Sequence, residues 1–264
     1  MTGSLTFVGT ATTLLSYGGF TVLTDPNFLH RGQRAYLGRG LWSRRLTEPA
    51  LQPGDLPALD AVVLSHLHGD HFDRVARRGL PRDLPVLTTR PSARRLRRWG
   101  FEQAVALDTW QSTELVKDGA RLRVTAAPGR HAPGLAQAAL PEVMGSVLEF
   151  LPAPGGEPPL TVYVTGDTLL VDDLREVPRR HPQIDVGVWH LGGTRVLGLM
   201  VTMDGRQGAD LMEIVRPDRT VPVHFDDYGV FRSPRSDFLA EVERRGLPGV
   251  RTVERGESLP LPIP

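Results

Sequence analysis

Three imidazoles and a carboxylate stand within six residues of this chain, in His66-Leu67-His68-Gly69-Asp70-His71, just after the apolar run Ala61-Val62-Val63-Leu64 and Ser65. Imidazole and carboxylate are ordinary ligands for zinc and its neighbours. The whole chain has 8 histidines, so a solvated polar loop does not explain three of them at this spacing. A strand that ends in such a cluster delivers several ligands from one rigid edge. That arrangement suits two metal ions side by side with a water or hydroxide held between them. It also constrains the fold, because the missing ligands must reach the same edge from distant segments.

Two ions need about six or seven protein ligands, more than the cluster supplies. Three later positions fit. His131 lies in Pro128-Gly129-Arg130-His131, after the β-type run 121–126. Asp167 follows 161–164 through Thr165 and Gly166, and His224 ends Val221-Pro222-Val223. Each alone would more often be a structural residue or a turn former, and Asp167 after glycine reads equally well as a turn. Together they repeat one pattern, a polar ligand-type side chain immediately beyond an apolar run.

Composition narrows the class. The 264 residues suit one α/β domain spanning 1–264, and 40% hydrophobic content supports a core of mainly Leu, Val and Ala, since aromatics are 6%. A net charge of +1 gives no global field for nucleic acid or anionic membrane. With no cysteine, disulfides, thiolate ligands and a cysteine nucleophile are excluded. Residues 1–7 lack a basic segment followed by an apolar one, and no apolar stretch approaches the ~20 residues of a membrane span. A cytoplasmic protein is expected. Lys117 is the single lysine among many arginines, read here as compositional bias.

The first part reads as a β-meander over 5–8, 13–17 and 20–24, punctuated by Gly9 and Gly18-Gly19. Residues 26–58 read as irregular and, being long, as bordering the active site. Helices are expected over 72–78, 92–99 and 236–245. Another should start at Asp204, with Gln207 in the capping-box position, and run to about 215 before Pro217. The arginines at 94–98 read as a solvated helix face. Strands are expected over 86–89, 121–126, 146–150, 161–165, 186–189 and 221–223, with 152–159 as a hairpin loop. This order suggests two sheets face to face with helices outside.

On these residues the chain resembles the metallo-β-lactamase-fold hydrolases over essentially its whole length. The family's H-x-H-x-D-H stands as His66, His68, Asp70 and His71, and its later His, Asp and His match His131, Asp167 and His224. The resemblance implies an αβ/βα four-layer sandwich of two mixed sheets. It implies two divalent ions, zinc first, with manganese or iron served by the same ligands. His66, His68 and His131 would bind one ion, Asp70, His71 and His224 the other, and Asp167 would bridge. An aspartate at that position and the lack of cysteine place the chain nearer the hydrolase and lactonase branches than the cysteine-ligated zinc β-lactamases. Thr24-Asp25-Pro26, Thr165-Gly166-Asp167-Thr168 and Val221-Pro222-Val223-His224-Phe225 are similar to the branch containing L-ascorbate-6-phosphate lactonase and N-acyl-phosphatidylethanolamine phospholipase D.

The expected chemistry is hydrolysis of a small ester or lactone by a metal-bridging hydroxide, with Asp70 as the protein acid/base. A phosphodiesterase is the alternative, and a metal-binding protein without turnover the least favoured. Arg31, Arg34, Arg39, Arg44 and Arg45 are candidates to contact an anionic group. Asp25 and Asp73 are candidates to hold the imidazoles from behind. His190, at a strand end, and Tyr228, four residues past His224, are candidates for substrate contact. His30 and His181 read as surface residues. The expected partner is a small molecule, with no nucleic acid, and a homo-oligomer is compatible with the sequence.

Overall fold

The computed structural model describes residues 3–196 and 198–264; Met1 and Thr2, part of the N-terminal stretch read above, and Leu197 lie outside the described residues. The meander forms as Gly3–Gly9, Thr12–Tyr17 and Phe20–Thr24, whose β-branched and aromatic residues suit a pleated surface. Gly18 and Gly19 turn its second hairpin at φ of 56° and 87°, conformations that other residues rarely adopt.

From Phe20–Thr24 the pairing becomes parallel, through Ala61–Leu64 and Val86–Thr88 to Ala104–Ala106. Ser258–Leu261 pairs antiparallel with Gly3–Gly9 and completes a seven-stranded mixed sheet. The second sheet has six strands in the order Arg219–Val223, Val186–His190, Leu160–Val164, Gly145–Leu151, Ala120–Ala127 and Ser112–Lys117. Its first three are parallel and the others antiparallel.

All of Ala61–Leu64 is buried, because the strand is covered on both faces. Val63 joins the core between the sheets, with Leu5, Leu15, Val124, Leu148 and Val188. Val62 and Leu64 face the opposite layer. There helices α1 (Arg74–Gly79) and α2 (Arg90–Arg98) cover the first sheet through Ala76, Ala93 and Leu96. Helices α3 (Glu176–Arg180), α4 (Gly205–Val215) and α5 (Arg235–Arg245) cover the second sheet through Val177, Leu211 and Phe238. The result is the αβ/βα sandwich.

Some local details differ from the sequence reading. Residues 26–58 are not wholly irregular: Arg34–Tyr36 and Trp42–Arg44 pair as a small hairpin, and Pro53–Asp55 makes one 3-10 turn. Asp204 caps α4 by accepting from Gln207 N at 2.9 Å, but the Gln207 side chain bonds Leu170 N instead of closing a capping box. Ser112–Lys117 was not anticipated, because it is a largely exposed edge strand without an apolar alternation. Among the described residues, no helix is long and apolar enough to cross a membrane.

Candidate metal centre

Strands from both sheets end at one edge. The His66–His71 segment leaves Ala61–Leu64, while Asp167, His190 and His224 leave the parallel strands of the second sheet, and His131 follows Ala120–Ala127. Gly166 lets the two sheets meet here. Its φ is +62°, and a Cβ on it would lie 2.7 Å from Met144 O and 2.8 Å from Ser65 Cβ.

His66, His68 and His131 form the first buried group. His66 Nε2 is 3.0 Å from His68 Nδ1, and His131 Nε2 is 3.4 Å from the same atom. His131 Nδ1 donates to Val201 O at 2.7 Å, so its Nε2 lone pair faces the group. Burial, with help from neighbouring imidazoles, pushes His66 well down and His68 to about 3; burial lowers His131 as well. Neutral imidazoles are what ligation requires.

Asp70, His71, Asp167 and His224 form the second group, with ligand atoms within 4.8 Å of one another. His71 Nε2 lies 3.3 Å from Asp167 Oδ2, and His224 Nε2 lies 3.6 Å from Asp70 Oδ2. Asp70 Oδ1, His71 Nε2, Asp167 Oδ1 and both ring nitrogens of His224 are buried without a hydrogen-bond partner. Orphaned buried groups on this scale call for an explanation. Charge points the same way, since Asp25, Asp70 and Asp167 are all buried within this one site. Burial is the largest influence on each and opposes ionisation. The surrounding imidazoles outweigh it, holding Asp70 low, Asp167 well below the carboxylate range and Asp25 at about 2. Burial likewise opposes protonation of His71, yet Asp167, Asp70 and Asp25 raise it well above its ordinary value. Divalent cations would satisfy the orphaned atoms and balance the carboxylates. The donors, imidazole and carboxylate without thiolate, fit zinc, manganese or iron.

Behind these groups lies Asp25. Its Oδ1 accepts from Ser65 N and Ser65 Oγ, both at 2.8 Å, and sits 3.4 Å from His71 Nδ1. Ser65 Oγ is also 3.0 Å from His66 Nδ1. Thr202 Oγ1 donates to Asp167 Oδ2 at 3.0 Å. Ser65, Thr202 and the Val201 carbonyl were missed in the sequence. Ser65 was legible in principle as the polar residue opening the cluster, whereas nothing in the sequence marks Thr202. Asp25 and His224 adopt positive φ, 37° and 61°, a strain that tends to gather at functional sites.

Other sequence candidates are placed differently. Asp73 touches no imidazole: its Oδ1 accepts from Val75 N and Ala76 N, capping α1, and its Oδ2 accepts from Phe28 N and Leu29 N. Its expected role behind the imidazoles is corrected to that of a helix cap. His190 is fully buried, with Nδ1 3.2 Å from Thr165 Oγ1 and Nε2 3.4 Å from Asp25 Oδ2. Tyr228 is also buried and donates to Asn27 Oδ1 at 3.0 Å. Neither lines the cleft described next, because both sit on segments packed inside the fold. Arg45 is buried against Asp227 and Asn27, not free for an anion.

A cleft of about 760 Å³ opens onto His68. The hairpin at 34–44, segment 132–141, the residues Val196, Leu199 and Val201, and the exposed sides of α1 and α2 wall it. The 26–58 stretch therefore does border the site. Arg34 and Arg39 line the cleft, while Arg31 and Arg44 do not.

The family profile described as the beta-lactamase superfamily domain matches residues 21–225. The chain belongs to this family. All seven residues of the two groups fall within the matched range. A metal-dependent hydrolase of Anaeromyxobacter sp. (strain K) is 28% identical over 260 residues, covering 96% of this chain and 85% of that protein. Two solved structures share the fold at 22% identity. One, a possible metal-dependent hydrolase from Veillonella parvula DSM 2008, has a TM-score of 0.81 and covers 99% of this chain and 100% of its own. The other, an isothiocyanate hydrolase from Delia radicum gut bacteria, has a TM-score of 0.79 and covers 97% and 98%. The family is one of metal-dependent hydrolases with a metallo-β-lactamase fold.

Proposed function

We propose that this chain is a dinuclear hydrolase that cleaves a small ester or lactone, working as one domain in the cytoplasm. His66, His68 and His131 would hold one divalent ion, Asp70, His71 and His224 a second, and Asp167 would reach both, with zinc the first choice of metal. Bound ions of this kind supply Lewis acidity and bring the pKa of water toward ~7. The chain's own groups do the rest. Ser65 and Asp25 brace His66 and His71 from behind. The Val201 carbonyl fixes the orientation of His131. Asp70 would take a proton from the attacking water and return it to the leaving oxygen, a role that its burial beside His71 and His224 supports. The cleft opens beside His68, where a substrate would enter.

One observation carries this reading: ligand atoms from four separate strand ends converge in two buried groups and leave nitrogen and oxygen atoms without partners. A solved protein of this fold hydrolyses isothiocyanates, so attack at an electrophilic carbon is a chemistry the fold accommodates. Metal content, measured by plasma mass spectrometry on the purified protein and its Asp167→Ala variant, is the direct test. About two ions per chain, falling in the variant, is the expected result. One ion or none, unchanged by the substitution or by added metal, overturns the assignment.

A further inference from the structure

We propose that the substrate is a small amphiphilic anion, with an apolar body lying in the cleft beside His68 and a negative group held by the arginines of the cleft wall. This rests on the hydrolytic reading for the bond that reacts, but not for what the cleft binds. The wall includes Leu37, Phe72, Trp99, Leu140, Val196 and Leu199. None of these side chains can take part in proton chemistry. At the mouth Trp42 is 58% exposed, Leu199 47% and Tyr36 43%. Single exposed apolar residues are ordinary, but a cluster bordering a reactive centre marks a binding surface. The rim is preformed, since the Tyr36 and Trp42 rings pack with centroids 4.9 Å apart. It is also tied to the reacting centre, because Gly69 N, between His68 and Asp70, donates to Tyr36 O at 2.8 Å.

The charge of the same wall supplies the second half. Arg34, Arg39, Arg74, Arg77 and Arg95 all line the cleft. Among the described residues, none of them forms an ion pair with a carboxylate. Arg77 and Arg95 lie over the Trp99 ring at 4.4 and 5.2 Å, which holds two guanidinium groups beside the apolar surface. The one carboxylate in the wall, Asp73, has both oxygens committed to main-chain amides. A hydrophilic anion would leave the apolar wall wet, and a neutral hydrocarbon would leave the arginines without a counter-ion. An amphiphilic anion meets both demands, and the volume of about 760 Å³ suits a small molecule.

The test uses the metal-loaded protein and straight-chain alkyl sulfonates from butyl to decyl, chosen because sulfonate is a poor metal ligand, with the matching alcohols and alkyltrimethylammonium ions as controls. Binding is followed by tryptophan fluorescence, to which Trp42 and Trp99 report directly. Affinity should rise about fourfold per added methylene until the cleft is filled. Each sulfonate should bind at least about tenfold more tightly than its alcohol, as expected for a charge-assisted contact. Leu199→Asp should flatten the chain-length ladder, and Arg77→Glu combined with Arg95→Glu should remove the preference for sulfonate. Both changes are at exposed positions, so folding is expected to survive them. Affinity independent of chain length, or trimethylammonium ions binding as tightly as sulfonates, overturns the proposal. A parallel series of esters and lactones separates it from the hydrolytic reading. Cleavage with no length dependence in rate or binding sinks the amphiphile and leaves the hydrolase. A binding ladder with no cleavage of any ester or lactone keeps the cleft assignment and sinks the hydrolase.

Discussion

Ser65 places one hydroxyl among Asp25, His66 and His71, so a single oxygen links both candidate metal groups. Removing it frees two imidazoles to rotate. Ser65→Ala should lower metal affinity by about 10–100-fold with the fold intact, measured by competition with a chromogenic chelator. Asp25 makes a second prediction. Burial alone would raise its pKa, yet His71 and then His190 hold it at about 2, below the ~3.9 of an unfolded chain. A depressed carboxyl stabilises the fold at pH values above its unfolded pKa, and that contribution is lost as pH falls from ~4 toward ~2. In chelated protein the loss is on the order of 2 kcal/mol. Asp25→Asn should flatten this acid limb in urea unfolding, and asparagine tolerates the positive φ at this position. The ligand residues were legible because their chemistry is written in side-chain type and local order. The positions of His190, Tyr228 and Asp73 were not, because depth beneath the surface is set by neighbours from other parts of the chain.

At the scale of elements, Asp73 joins α1 to the start of the 26–58 stretch by satisfying four amides with one carboxylate. Asp73→Ala removes a helix cap and leaves the buried Phe28 and Leu29 amides without an acceptor. It should cost about 3 kcal/mol in chemical denaturation. Metal content should be unchanged, which separates a capping role from contact with the imidazoles. Gly69 does similar work for the 34–44 hairpin. A Cβ there would lie 2.7 Å from Tyr36 N, so Gly69→Ala should displace the hairpin and weaken binding in the cleft more than it weakens metal uptake. That hairpin was hidden in the sequence because its strands are three residues each, within a stretch rich in arginine and glycine. The longer strands were visible, since a run such as Leu160–Val164 keeps its β-branched pattern whatever it packs against.

Across the whole molecule, the two sheets share one core but also one concentration of buried negative charge. Metal should therefore stabilise the entire sandwich. Free metal at about a thousand times its dissociation constant contributes ~4 kcal/mol, or roughly 10 °C in melting temperature for a chain of this size. Calorimetry with and without a chelator should show that gap in the parent protein and a much smaller one in Asp167→Ala. The layered architecture was readable because strands and helices follow one another in a distinctive order. The cleft was not, because segments far apart in the chain build its walls.

The strand ends that converge on this edge carry their side chains in a fixed order along the chain, and that order has a consequence for biosynthesis. A polypeptide leaving the ribosome presents His66, His68 and His131 together before Asp167 has emerged, and long before His224. The first ligand group is complete in sequence by residue 131, yet the Val201 carbonyl that orients His131 and the His224 of the second group come only later. The finished centre therefore waits for nearly the whole chain to be made.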